Sequence, residues 1–250
     1  MTQTRSIDPK EVAYYERMAG TWWDTEGPFW PLHRLNELRT DYLCDRFCRF
    51  FRRDSESHRP LAGLHMLDVG SGGGILSEAM ARLGARVTGL DVVQRNIHIA
   101  DLHARQSALE IEYRHTTAEA LADEGERFDV VLNMEVVEHV ADLDGFMRAC
   151  GALVADHGIM SVATINRNPL SWLIAIFGAE YVLRWMPRGT HHYKKLRRPN
   201  EIEQRLNSAG LDVLDRTGVR VNPFKRTLHL TQFMGVNYML IAARGEGGRK

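Results

Sequence analysis

Short apolar runs alternate with amphipathic stretches along the middle of the chain. The runs that predict β-strands cover residues 64–69, 86–91, 111–115, 128–133 and 159–164. The stretches that predict helices cover residues 74–83, 96–107, 118–122 and 143–154. Strands that alternate with helices in this way form a parallel sheet with helices on both faces, joined by right-handed crossovers. The pattern therefore predicts an α/β fold.

Further elements are expected on both sides of this core. The run Asp8-Pro9-Lys10-Glu11 is typical of a helix start, with an acidic N-cap and a proline in the first turn, and it predicts a helix that ends near Gly20. We expect a second helix over 35–51, a polar loop over 52–60, a helix over 199–209, and strands near 211–219 and 235–243. The sheet then has seven strands and is mostly parallel.

Length and composition are those of one globular domain. We divide residues 1–250 into an N-terminal helical cap (1–60), a cofactor-binding core (61–165), an insert (166–198) and the C-terminal part of the sheet (199–250). Basic and acidic residues balance at 32 each, which argues against a nucleic-acid partner. Three cysteines, no signal-peptide pattern and no apolar run long enough to span a membrane predict a cytoplasmic protein.

A glycine-rich turn follows the first predicted strand and reads Asp68-Val-Gly70-Ser-Gly72-Gly-Gly74. Glycines let a ligand approach the backbone, and the next helix directs its N-terminal amides at that ligand. The dinucleotide fingerprint G-x-G-x-x-G/A fails here, which disfavours an NAD-dependent enzyme. An acid followed by glycines two, four and six residues later resembles motif I of class I S-adenosylmethionine (SAM)-dependent methyltransferases.

Asp91 ends the second predicted strand, where a carboxylate accepts hydrogen bonds from both hydroxyls of a ribose. A plain tight turn at the glycines and a helix cap at Asp91 are the structural alternatives. Taken together, the strand, the glycine turn, the helix and the acid predict a nucleoside-containing cofactor.

A cluster of Glu135, Glu138 and His139 follows the fourth predicted strand, at the same edge of the sheet. In a helix or a tight turn the three side chains share one face. They are candidate ligands for Mg²⁺, with Mn²⁺ and Zn²⁺ as alternatives because one ligand is an imidazole. A bound metal stabilises a phenolate, whereas His139 alone can act as a general base. A solvated turn with a capping glutamate is the structural alternative.

These features, with others along the chain, resemble the ubiquinone-biosynthesis O-methyltransferases, which methylate polyprenyl catechols and demethylubiquinols. The matching segments are Trp22-Trp23-Asp24, Pro31 to Asn36 with Arg39, Asp68 to Leu76, Val87 to Asp91, Met134 to Val140, Thr164 to Asn168, Gly178 to Val182, Gly189 to His191 and Val236 to Met239. The resemblance implies the class I methyltransferase fold, SAM as methyl donor, a polyprenyl phenol or quinol substrate, and other enzymes of ubiquinone biosynthesis as partners.

Site residues follow from the same resemblance. It implies SAM contacts at Arg39, Gly70, Asp91 and Met134, with Arg39 paired to the methionyl carboxylate and Met134 packed on the adenine or ribose. It also implies metal ligation by Glu135, Glu138 and His139, of which Glu135 and His139 are the candidate catalytic residues. Without the resemblance, Arg39 is an ordinary surface helix arginine and Met134 is a core residue.

The insert at 166–198 combines an apolar run with seven basic residues and the single acid Glu180. Trp172 and Trp185 flank the apolar segment. This composition predicts an interfacial helix on an anionic membrane, which places the protein peripherally on the inner face, or a lid over a polyprenyl substrate. A buried helix with a solvated basic loop is the alternative.

Two other functions are compatible with such a fold. A methyltransferase for a soluble phenol is the first, and the apolar insert argues against it. A non-enzymatic peripheral membrane protein with a SAM-like fold is the second, and the intact Asp91 and the Glu135, Glu138 and His139 cluster argue against it.

Overall fold

A computed structural model of the chain describes residues 6–172, 193–222 and 227–245. The helices are α1 Pro9–Met18, α2 Trp30–Phe50, α3 Ile75–Arg82, α4 Gln94–Gln106, α5 Ala118–Asp123, α6 Leu143–Leu153, α7 Pro169–Ser171 and α8 Pro199–Ser208. The strands are β1 His65–Val69, β2 Arg86–Asp91, β3 Glu112–His115, β4 Phe128–Met134, β5 Val154–Ile165, β6 Leu211–Asn222, β7 Thr227–Thr231 and β8 Asn237–Arg244. The predicted insert beyond Trp172 and before Tyr193 lies outside the described residues.

The strands form one mixed sheet in the order β3-β2-β1-β4-β5-β8-β6-β7. Strands β1 to β5 pair in parallel, and β8, β6 and β7 add antiparallel pairs. The predicted mostly parallel α/β sheet is confirmed. The prediction of seven strands is wrong, since the described residues contain eight. The additional strand is β7, which pairs with β6 where β6 continues beyond the predicted end to Asn222.

The two N-terminal helices begin where local chemistry places them. The Asp8 carboxylate accepts a hydrogen bond from the Lys10 amide at 3.0 Å and caps α1, as predicted. A short 3-10 turn over Ala19–Thr21 follows α1. Helix α2 starts at Trp30, five residues before the predicted start, because Pro31 lies in its first turn, where a missing N–H costs nothing.

Apolar side chains fill both faces of the sheet. One cluster lies beneath α5, α6 and α8 and includes Phe128 and Met147. The other lies beneath α2 and α3 and includes Phe47 and Met80. Because helices cover both faces of the sheet, the central strands are nearly continuous apolar runs in the sequence. No helix within the described ranges is long and apolar enough to cross a membrane.

Candidate functional site

The glycine turn after β1 is closely packed and conformationally demanding. Gly70 and Gly72 have φ angles of +68° and +54°, in the left-handed region that residues with a Cβ seldom adopt. A Cβ on Gly70 would lie 2.7 Å from a methyl of Val136, and one on Gly72 would lie 2.6 Å from the Trp22 ring. The turn therefore needs glycine for its backbone angles and for its close neighbours.

Asp91 fixes this turn from the end of β2. One carboxylate oxygen accepts the Gly72 amide at 2.9 Å, and the other accepts the Val93 amide at 2.7 Å. The side chain is buried, and burial raises the pKa of the Asp91 carboxyl, although the two amide hydrogen bonds oppose that shift. Asp91 therefore links β2 to the glycine turn, and it lines the cavity described below.

Arg39 is a buried cation on α2 rather than a surface residue. Its side chain is 3% exposed, and its Nε donates a hydrogen bond to the Asn36 side chain. The Nη1 group lies 3.9 Å from a Glu135 carboxylate oxygen and has no hydrogen-bond partner. Burial lowers the pKa of this guanidinium, while the charges of Glu135 and Asp68 oppose the change. A buried, unpartnered donor is suited to an anionic ligand group, because an unmade hydrogen bond there is costly.

Glu135 and Glu138 follow β4 in a short irregular turn. Glu135 has a φ of +60°, a conformation that costs a non-glycine residue about 1–3 kcal/mol and is found most often at functional sites. Burial, together with the charge of Glu138, raises the pKa of Glu135 to about 8. A Glu138 carboxylate oxygen accepts the Thr164 hydroxyl at 2.8 Å. Glu135 therefore keeps its proton at neutral pH, because a second charge beside the buried Glu138 carboxylate would be repelled.

His139 is held by two residues of α1. Its Nδ1 lies 3.1 Å from a Glu11 carboxylate oxygen, and its Nε2 lies 3.2 Å from the Tyr15 hydroxyl. Burial lowers the pKa of His139, but the Glu11 hydrogen bond and the charge of Glu138 outweigh it, and the net pKa is raised. A second partner of Glu11 is Lys195, whose Nζ donates to Glu11 at 2.8 Å and to Asp8 at 2.7 Å. Helix α1 is therefore linked to the predicted site by the contacts of Glu11 and Tyr15 with His139.

The protonation of Glu11 decides the tautomer of His139. Burial raises the pKa of Glu11, but the hydrogen bonds from His139 and Lys195 lower it by more than burial raises it. The net pKa of Glu11 is about 2. Glu11 is therefore an anion that only accepts hydrogen bonds. The Nδ1 atom of His139 must then carry a proton, and in the neutral ring the Nε2 lone pair faces the Tyr15 hydroxyl.

Two of the three predicted metal ligands, Glu138 and His139, are engaged with protein partners in this arrangement. Both ring nitrogens of His139 are within hydrogen-bond distance of side chains of α1. Glu138 accepts a hydrogen bond from the Thr164 hydroxyl. Within the described parts of the chain, no three His, Cys, Asp or Glu side chains are grouped so that they could hold a metal ion. The arrangement does not fit a metal centre, and metal ligation by these residues stays a prediction.

One cavity of about 390 Å³ brings the predicted residues together. It lies at the carboxyl ends of β1, β2 and β4, where α/β proteins bind their ligands. Its lining includes all seven predicted site residues, namely Arg39, Gly70, Asp91, Met134, Glu135, Glu138 and His139. It also includes Glu11 and Tyr15, which sequence reasoning missed. These two lie more than 120 residues from His139, and no local pattern marks such a contact.

Comparison with known proteins identifies the family. A family model described as a methyltransferase domain matches residues 35–216. The ubiquinone biosynthesis O-methyltransferase of Brucella ovis is 53% identical over 246 residues, which cover 98% of this chain and 99% of that protein. The enzyme of the same name from Sinorhizobium fredii is 53% identical over 243 residues, or 97% and 98% of the two chains.

Solved structures agree on the fold. Magnesium protoporphyrin IX methyltransferase from Synechocystis PCC 6803, with bound S-adenosylhomocysteine (SAH), matches with a TM-score of 0.64 at 16% identity over 93% of this chain and 95% of that one. A SAM-dependent methyltransferase from Aquifex aeolicus matches with a TM-score of 0.56 at 12% identity over 96% and 100%. With the glycine turn and the cavity described above, these findings show that the chain belongs to the ubiquinone biosynthesis O-methyltransferase family and is a SAM-dependent enzyme with the class I methyltransferase fold.

Proposed function

We propose that this enzyme transfers the methyl group of SAM to a phenolic hydroxyl of polyprenyl catechol and demethylubiquinol intermediates. One observation carries the proposal beyond the family assignment. In the cavity beside the glycine turn, the Nε2 atom of His139 lies 3.2 Å from a phenolic hydroxyl, that of Tyr15. The site therefore has the geometry needed to accept a proton from a phenol, and the substrate hydroxyl takes the place of Tyr15 when it binds.

Four residues account for cofactor binding in this proposal. The nucleoside lies on the backbone of the turn at Gly70, with the ribose hydroxyls donating to Asp91. The methionyl carboxylate pairs with Arg39, whose buried Nη1 otherwise has no partner. Met134, which is 7% exposed and lines the cavity, packs against the nucleoside.

The chemical step needs a more nucleophilic phenol oxygen than the neutral hydroxyl supplies. His139 takes the phenolic proton on Nε2 while Glu11 stabilises the imidazolium through Nδ1. The phenol oxygen forms a bond to the methyl carbon, the carbon–sulfur bond breaks, and its electron pair returns to sulfur to give SAH. Glu135, with its pKa of about 8, is protonated at neutral pH and donates a hydrogen bond to the neighbouring catechol oxygen.

Methyl transfer from SAM to a short-chain polyprenyl catechol tests this function. His139→Asn should lower kcat about 10²–10⁴-fold, the usual contribution of a general base, with SAH binding retained. His157→Asn is the matched control, because His157 is an exposed histidine on β5. Wild-type kcat in the His139 variant would contradict the role of the imidazole. Equal activity on a soluble catechol and on the polyprenyl catechol would favour a soluble phenol as substrate.

The same assay with and without a chelator tests the predicted metal. A loss of activity that Mg²⁺ restores would support ligation by Glu135, Glu138 and His139. Full activity after exhaustive chelation would contradict it.

Membrane association is a second part of the proposal. Leu170 and Trp172, at the start of the insert, are 39% and 45% exposed, and the sequence that follows is apolar and basic. We expect this segment to bind an anionic bilayer and to give the enzyme access to its lipid substrate and to other enzymes of the pathway. Deleting residues 173–192 should abolish cosedimentation with anionic liposomes, and equal cosedimentation of the shortened and intact proteins would remove the membrane claim.

A further inference from the structure

The edge strand β7 carries an apolar face that continues out of the cavity. Leu228 and Leu230 are two residues apart on β7, and side chains at that spacing point to the same face of a strand. Leu228 lines the cavity. Leu230 is 39% exposed. The two leucines therefore form an apolar path from the cavity wall to the protein surface.

Helix α2 forms the other side of this path. It contacts β7, and its Leu35 lines the cavity together with Leu228. Leu35 and Leu228 both pack on the apolar cluster beneath α2. Leu230 pairs with Val219 of β6, which is buried in that cluster. The apolar surface is therefore continuous from the cavity, past Leu35 and Leu228, to Leu230.

The reacting ring and the hydrocarbon tail of the substrate need different surroundings. Arg39, Glu135 and His139 line the cavity and provide its charged and titratable groups. In the proposed function, His139 and Glu135 contact the reacting ring of the substrate. A long hydrocarbon chain attached to that ring cannot remain among them, since charged groups lose their solvation against hydrocarbon. The apolar path along β7 is where such a chain covers exposed leucine surface instead.

We propose that Leu35, Leu228 and Leu230, here called the tail strip, bind the first isoprene units of the substrate and select for a prenylated ring. The proposal rests on the proposed function, because it assumes a polyprenyl phenol as substrate. It assigns substrate selection to the one strand that the sequence pattern does not predict.

The test compares two substrates, a catechol with a geranyl tail and the same catechol without a tail. For the wild type, kcat/KM should be higher for the tailed compound. Leu230→Gln should lower the ratio of kcat/KM for tailed over tailless substrate about tenfold, through KM, as for a lost contact in an apolar pocket. Leu214→Gln is the matched control, since Leu214 lies on β6 and is 56% exposed, and it should leave the ratio at the wild-type value.

A second variant keeps the test valid if Leu230→Gln fails to fold. Leu230→Thr keeps a residue that favours strands and should lower the ratio in the same direction. SAH binding by each variant checks that the cofactor site is intact. An unchanged ratio in both Leu230 variants would overturn the tail strip and leave the proposed function standing. A wild type that methylates neither catechol would overturn the proposed function, and the tail strip with it.

Discussion

Replacing Asp68 with asparagine should stabilise the cofactor-free enzyme at neutral pH. Asp68 is the penultimate residue of β1, next to the glycine turn, and is 3% exposed. Burial raises the pKa of its carboxyl from an ordinary value of 3.8 to about 6, against the opposing effects of the Ser77 hydroxyl at 2.6 Å and the charge of Arg39. The folded protein therefore holds a proton on Asp68 more tightly than the unfolded chain does.

The sign and size of the effect follow from proton linkage. Because the pKa of Asp68 is higher in the folded state, this group supports folding fully below about pH 4, and the support is lost as the pH rises through about 6. A rise from 3.8 to about 6 corresponds to about 3 kcal/mol of folding free energy lost at pH 7.5. Asparagine has no proton to lose and still accepts the Ser77 hydrogen bond, so it avoids this loss.

Urea unfolding of the cofactor-free protein from about pH 4 to about pH 7.5 measures the effect. The free energy of unfolding of Asp68→Asn, minus that of the wild type, should increase by about 2–3 kcal/mol across this range. Taking the difference cancels the other titrating groups that the two proteins share. Asp156→Asn on β5 is the matched control, since Asp156 is exposed, and its difference should stay constant. A constant difference for Asp68→Asn as well would refute the reasoning.

Three further changes test separate parts of the site. Asp91→Asn should weaken SAH binding by about 1–3 kcal/mol, because it removes a charged hydrogen-bond acceptor, and an unchanged dissociation constant in calorimetry would contradict the ribose contact. Gly72→Ala should destabilise the fold by about 1–3 kcal/mol through its φ of +54° and the Trp22 ring, and an unchanged midpoint of unfolding would contradict the close packing of the turn. Lys195→Met removes the cation that binds Asp8 and Glu11, and should speed amide hydrogen exchange in α1; exchange at the wild-type rate would show that the ion pairs do not hold the helix.

The central fold could be predicted because its strands are buried on both faces. Strand β2 begins and ends where the apolar run indicates, and β1 and β4 differ from their predictions by one residue. Strand β7 could not be predicted, since only two of its five residues are partly buried and the others are exposed. Its position depends on pairing with the extended end of β6, which is a tertiary contact.

The site was predictable to the extent that it depends on strand ends. Asp91, Met134 and Glu135 lie at the ends of two parallel strands or directly after one of them, and parallel topology brings those ends together. The part supplied by α1 could not be foreseen, because more than 120 residues of sequence separate Glu11 and Tyr15 from His139. Only the folded chain shows that the N-terminal cap helps to form the cavity.

The position of β8 has a consequence for how the chain folds. This strand is synthesised after every other described strand, yet it lies inside the sheet, between β5 and β6. The parallel half, β1 to β5, can therefore form during translation, while β6 and β7 have no place to dock until β8 is made. A chain cut before Asn237 would expose the inner edge of β5, and we expect such fragments to aggregate rather than persist as shortened enzymes.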